Sequence, residues 1–285
     1  MTGQSTPDSI TGGELSKSLI TPAAASGMRL FSGQRPLKRW RYVGVFSEEL
    51  MACAALIQVG PARQSFWALY RRDANEQRER TRLLPRAREL RLDAGRLLLH
   101  DRGVRLELAL EEDGGIEATC PNGGEQVWTR KQAGIAAHGT LALDGRPASE
   151  LSARAVIDDT AGYHTRETEW WWSAGVGQAP DGTALAWNLV SGVNDPPSGS
   201  ERAVWVGGVA SEAPAVEFSE SLLRVRCADG STLRFHPEAE RSHDQNLLIV
   251  KSEYRAPFGS FSGTLPGGVA LAHGLGVVEH HRALW

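Results

Sequence analysis

The sequence predicts an all-β protein of short antiparallel strands, and three observations carry that expectation. First, Asp-Gly pairs recur between strand-like runs, at Asp113-Gly114, Asp144-Gly145, Asp181-Gly182 and Asp229-Gly230. Both central residues of a tight type I′ hairpin need positive φ, which glycine adopts freely and aspartate tolerates. Gly207-Gly208 and Gly267-Gly268 repeat the device in weaker form. Second, the flanking runs alternate with period two. Val104, Leu106, Leu108 and Leu110 alternate with Arg105, Glu107 and Ala109, and Val225 and Cys227 with Arg224 and Arg226. Leu233 and Phe235 continue the pattern against Arg234 and His236. Such alternation marks a sheet with one face buried and the other in water. Third, helical periodicity is thin. Its best candidate, the charged run from Arg71 to Leu84, has no sustained apolar stripe and reads equally as a helix or a solvated connection. Many short strands at spacings of about 8 to 12 residues suit a sandwich or barrel, and barrel closure removes exposed edges.

A chain of 285 residues exceeds the size, roughly 250 residues, at which a single core stops growing, so two packed units are expected. We divide it into a mobile N-terminal tail over residues 1–27, a first barrel over 28–150 and a second over 151–285. The division near Leu151 follows the strand-like run Ile135 to Leu143. The tail is rich in Ser, Thr, Gly and Ala and buries little. A hydrophobic fraction of 41% excludes bulk disorder. A net charge of −3 and a pI near 6.3 give no basic field for phosphates, which argues against a nucleic-acid partner. Cys53, Cys120 and Cys227 are odd in number and widely spaced, so they form neither a disulfide framework nor a C-x-x-C motif and read as small buried hydrophobes. Residues Met1 to Gly27 carry Asp8 and Glu14 and lack a signal-peptide core, and no stretch downstream is apolar enough for a membrane span. The expected location is the cytoplasm; the oligomeric state is left open.

Trp170, Trp171 and Trp172 are consecutive, so in a strand they must point alternately to opposite faces. Trp170 and Trp172 share a face with Thr168, whereas Trp171 shares the other with Glu167, Glu169 and Ser173. If Trp171 faces a cavity, Glu169 faces it too, and a carboxyl beside an indole in an apolar hollow favours its neutral, proton-donating form. The alternative is core or inter-barrel packing for the tryptophans, with Glu169 at a rim. Asp158, Asp159 and His164 bracket a turn, where His164 can act as acid or base with a carboxylate to orient it, or the aspartates serve only the turn backbone. Asn188 lies in an otherwise apolar run and needs a buried partner, while Asn194, Asp195 and two prolines read as loop chemistry. Glu279, His280 and His281 alternate in a strand and cannot supply three convergent metal ligands, so no metal is expected; Glu279 and His281 can reach one pocket. "GSFSG" centres on Phe261, so it is no nucleophile elbow, and "GLGVVE" lacks the third glycine of a dinucleotide fingerprint.

The segments "LALDGRPASELSARAVIDDTAGYHTRETEWWWSAG", "DGTALAWNLVSGVND" and "PFGSFSGTLPGGVALAHGLGVVEHHRALW" resemble domain-of-unknown-function family 2804. Where that family carries Asn-Ala-Leu-Trp, this chain reads Arg202, Ala203, Val204 and Trp205. More distantly, the Asp-rich run into Gly162, Tyr163 and His164 and the tryptophan strand are similar to the carotenoid 1,2-hydratase group. That resemblance implies two lipocalin-like antiparallel β-barrels in tandem and an apolar, isoprenoid- or polyketide-like ligand. The expected function is cofactor-free, acid-assisted hydration, isomerisation or cyclisation; the alternative is a non-enzymatic carrier. The residues we assign to catalysis are Glu169, His164, Glu279 and Asp159, and those we assign to ligand contact are Trp171, Trp187, Asn188, Tyr254 and His281.

Overall fold

The computed structural model describes residues 27–86, 88–247 and 250–284. The expected N-terminal tail, apart from Gly27, lies outside the described residues. No described residue is helical, and the fold is all-β. A short ribbon of β1 (Phe31–Ser32) and β2 (Arg35–Pro36) precedes two large antiparallel sheets. The first contains β3 (Lys38–Phe46), β4 (Leu50–Val59), β5 (Ala62–Arg71), β6 (Glu76–Leu83), β7 (Leu90–Asp93), β8 (Arg96–Asp101), β9 (Val104–Leu110), β10 (Ile116–Asn122), β11 (Glu125–Leu143) and β12 (Ser149–Gly162). The second contains β13 (Glu167–Gln178), β14 (Ala184–Ser191), β15 (Ala203–Val206), β16 (Val209–Glu212), β17 (Val216–Phe218), β18 (Arg224–Cys227), β19 (Thr232–Leu247), β20 (Val250–Leu265) and β21 (Val269–Leu284).

Both sheets are wound the same way. In the first, the order β6-β5-β4-β3-β12-β11-β9-β8-β7 pairs the first long strand with the last, and in the second, β16-β15-β14-β13-β21-β20-β19-β18-β17 does the same. Each is an up-and-down barrel with one open seam, between β6 and β7 or between β16 and β17. Side chains bridge the first seam: Arg82 reaches Glu89 at 2.8 Å and Arg80 reaches Asp101 at 2.5 Å. The charged run from Arg71 to Leu84 is therefore neither helix nor connection. It is largely β6, an edge strand whose charges keep an unpaired edge soluble.

Turn chemistry explains much of the winding. Asp144 and Gly145 have φ of 52° and 73°, and Arg146 N donates to Leu143 O, so the β11–β12 hairpin is of type I′. At Asp181-Gly182 and Asp229-Gly230 only the glycine takes positive φ, yet both pairs still sit in hairpin loops. Asp113-Gly114 departs from expectation: β9 and β10 do not pair with each other but lie along successive halves of β11. By sheet membership the first unit runs through Gly162, because β12 pairs with both β11 and β3; the expected division near Leu151 falls inside that strand.

Most buried apolar side chains fall into three layers, apart from a small cluster at Trp128 and Ala161. One cluster, including Val43, Leu69, Leu97, Leu106 and Ile157, fills the first barrel, and another, including Leu185, Trp187, Phe235 and Phe261, fills the second. The third, with Tyr42, Phe66, Trp172, Trp205, Tyr254 and Phe258, lies between the sheets. Strands β3, β4, β5 and β12 therefore bury both faces. Arg41, fully buried, sets Nη1 2.9 and 2.8 Å from the two carboxylate oxygens of Asp159 and pairs through Nη2 with Glu112. Replacing it as Arg41→Met leaves Glu112 without its cation and Asp159 with Arg130 alone, at a cost of up to about 3–5 kcal/mol, a large share of a typical stability of about 5–15 kcal/mol. Urea unfolding should show that loss; an unchanged midpoint would contradict this role for Arg41.

Candidate functional site

The middle apolar layer is incomplete. Where its side chains draw apart they leave a cavity of about 200 Å³ lined by both sheets. One wall comes from the first sheet: Lys38, Trp40 and Tyr42 on β3, Ala55 and Ile57 on β4, Phe66 on β5, Lys131 on β11 and Asp158 on β12. The opposite wall comes from the second: Trp170 and Trp172 on β13, Val190 on β14, Glu279 and His281 on β21, Tyr254 on β20 and Arg241 on β19. Exposed Ala62 and Leu83 stand at the rim.

Strand parity decides what enters. On β13, Trp170 and Trp172 project into the middle layer, while Trp171 takes the other face and stacks on His280 at 4.7 Å. On β21, paired in register with β13, the same alternation carries Glu279 and His281 inward and His280 outward. Glu279 is 8% exposed and accepts a 2.9 Å hydrogen bond from Trp170 Nε1. Burial pushes its carboxyl up to about 7, against the hydrogen bonds from Trp170 and Tyr254 that favour the ionised form. The Trp172 indole packs edge-on against Tyr42 at 5.3 Å and donates to Asn188 Oδ1 at 2.7 Å. Asn188 in turn donates to Glu201 O at 2.8 Å, which meets the need of a buried amide and fixes the Trp172 ring.

The polar groups of the cavity are disposed in two ways. Lys131 lies 2.7 Å from Asp158 and 3.1 Å from Glu201, tying first sheet to second. Burial works against its charge, but the two carboxylates outweigh that penalty and hold its pKa above the ordinary lysine value. Trp40 Nε1 also donates to Asp158, at 3.0 Å. Burial favours the neutral form of His164 and His281. Burial, reinforced by the Lys38 charge, lowers His164 to about 3. Burial, then His280, Lys38 and Arg241, lowers His281 to about 3. His281 Nε2 meets Ser252 Oγ at 2.8 Å, and Lys38 is itself lowered by burial to about 7.

Of the residues assigned from sequence, the structure brings Glu279, His164, Tyr254 and His281 around one cavity, with Asn188 directly behind it. The others lie elsewhere. Glu169 shares the Trp171 face, is 40% exposed at its side chain and pairs with His280 at 2.9 Å, so the acid–indole pairing inside the cavity is Glu279 with Trp170. Asp159 points to the other side of β12, where Arg41 and Arg130 hold it; its neighbour Asp158 faces the cavity. Both aspartates lie within a strand, not a turn, and neither bonds His164. Trp187 belongs to the second barrel's core, donating to Ser173 Oγ at 3.1 Å. Arg202 is buried and structural, bonding the carbonyls of Ala213 and Pro196. Sequence reasoning missed the first-sheet wall apart from Asp158. Its signal was the alternation in "KRWRYVGVF", which sets Lys38, Trp40 and Tyr42 on one face.

Residues 87–285 match the family described as Domain of unknown function (DUF2804). The chain belongs to that family. No curated protein matches it by sequence. Among solved structures, a protein from Nitrosomonas europaea provisionally named AttH is similar at a TM-score of 0.55 and 13% identity, with 92% of this chain and 98% of that chain covered. Kievitone hydratase from Nectria haematococca is similar at a TM-score of 0.52 and 10% identity, over 85% of this chain and 88% of that one. These likenesses place the DUF2804 chain in the double lipocalin-like fold.

The buried acid gives this DUF2804 protein a distinctive pH dependence. Because the fold raises Glu279 from 4.5 to about 7, its contribution to stability is whole below pH 4.5 and is lost as pH rises through about 7. His164 and His281, lowered from 6.5 to about 3, act oppositely: their contribution is whole above 6.5 and is lost on acidification toward 3. Glu279→Gln should remove the decline on the alkaline side and leave the acid-side decline intact. Urea midpoints compared at about pH 5 and about pH 8 test this, and parallel pH profiles for the two proteins would refute it.

Proposed function

We propose that the protein binds an apolar small molecule in the cavity between its barrels and transforms it by acid-assisted hydration, isomerisation or cyclisation, with Glu279 as the acid. The observation that carries this reading is a carboxyl with a pKa of about 7, set against an indole and a phenol on the wall of an aromatic cavity. A neutral carboxyl can protonate an alkene carbon or a carbonyl oxygen at neutral pH, where an ordinary glutamate is already ionised. Positive charge developing on the substrate then meets the ring faces of Trp40, Tyr42, Trp170 and Trp172. For hydration, the neutral imidazole of His281, held by Ser252, can orient the attacking water through a hydrogen bond. His164, beside Trp40 with ring centroids 5.5 Å apart, is the second neutral imidazole on the wall. The chemistry asks for no cofactor, and one fold relative is named a hydratase, the reaction class this site suits. Three buried, free cysteines suit a reducing compartment such as the cytoplasm.

The test is incubation with apolar extracts, followed by mass analysis of what is bound and what is released. Glu279→Gln should slow product formation by about 10²–10⁴-fold while ligand-induced changes in tryptophan fluorescence persist. Undiminished turnover in that variant would remove Glu279 from the chemistry. A ligand that wild-type protein binds and returns unaltered would make it a carrier.

A further inference from the structure

Arg241 is satisfied differently from Arg41, Lys131 and Arg202, and from Lys38, whose Nζ donates to Thr165 O at 3.4 Å. It is 3% exposed and lies on the cavity wall, its guanidinium carbon 4.0 Å from the Phe66 ring centre and 4.9 Å from that of Tyr254. Nη2 donates to Thr81 Oγ1 at 2.7 Å, and Nε is buried without a hydrogen-bond partner. Arg41 is matched by Asp159 and Glu112, Lys131 by Asp158 and Glu201, and Arg202 by two carbonyls. Among the described residues, Arg241 has no carboxylate within ion-pair distance. Ring faces offset part of the cost of burying such a charge, but a desolvated guanidinium is best satisfied by an oxyanion that accepts its fork of donors.

Register places this cation relative to the acid. Arg241 pairs with Ala256, and the alignment that sets Arg255 opposite His280 and Phe258 opposite Val277 sets Ala256 opposite Glu279. Glu279 and Arg241 thus stand in one row on strands two apart, about 10 Å between backbones. We propose that Arg241 anchors a carboxylate-like oxyanion on the substrate, so that the ligand is an apolar molecule with one acidic end, its apolar body lying across Tyr254 toward Trp170 and Glu279. This rests on the inter-barrel cavity being the ligand site. The arrangement also arms the acid. The Arg241 charge draws Glu279 toward ionisation, and an anion bound at Arg241 cancels that pull and favours the protonated form the chemistry needs.

Geranic acid and its methyl ester share an apolar body and differ in the charge at one end, so they separate the two claims. Titrated against tryptophan fluorescence near neutral pH, the acid should bind wild-type protein at least about tenfold more tightly than the ester, the preference expected of a charge-assisted hydrogen bond. Arg241→Gln should reduce that preference to about twofold or less, and Arg241→Lys should retain part of it. Equal binding of acid and ester to wild type, a comparison that needs no variant, would overturn the anchor while leaving the apolar cavity as the ligand site. A preference undiminished in a folded Arg241→Gln protein would also overturn it, by assigning the anion to another cation. Binding of neither probe would overturn the cavity reading and the anchor with it.

Discussion

The structure depends on strands that are buried on both faces. Along β3, β4, β5 and β12 one set of side chains fills the first barrel and the alternate set packs against the second sheet; β13, β14, β20 and β21 do the same from the other side. Where these strands face each other, neither outer face is left to water, so the two barrels share a core layer that neither owns. A cavity in that layer has walls of two independent origins, and most of its lining side chains are placed by strand parity and sheet register.

That position also explains the electrostatics. Charges brought into the shared layer lose hydration, and the fold answers in three ways: pairing, as at Lys131; neutralisation, as at Glu279, His164 and His281; and stacking on rings, as at Arg241. The Lys131 bridge does more than satisfy a charge. With Asp158 on β12 and Glu201 beside β15 it fastens one barrel to the other next to the aromatic walls. Trp40 and Trp172 are each held by a hydrogen bond at the indole nitrogen, so the aromatic faces are set before any ligand arrives.

Much of this was legible in the sequence, and the rest was hidden for identifiable reasons. Strands β9 and β18 alternate cleanly because their outer faces meet water, and there the burial pattern follows the sequence pattern. Parity along the three consecutive tryptophans was equally legible, but which side faced the cavity was not. Both sides of that strand are buried, one in the second barrel and one in the shared layer, so Trp171 with Glu169 and Trp170 with Glu279 looked alike until the sheets were placed. Asp158 and Asp159 presented the same ambiguity. Strand β4, "LMACAALIQV", is apolar but for Gln58 and reveals no face, and although alternation in β3 groups Lys38, Trp40 and Tyr42, that this face meets a second barrel is a contact no local pattern encodes. Asp113-Gly114 misled for a related reason: it lies in an irregular link, and the strands that this link joins run along a shared neighbour.

The claim on which the rest turns is that the ligand lies between the barrels and is held by both. A crystal structure of the protein with a bound apolar ligand tests it most directly. The account predicts ligand density sandwiched between the Trp40 and Phe66 wall and the Trp172 and Glu279 wall. Density inside either barrel, among Leu97 and Leu106 or beside Trp187 and Phe261, would contradict it.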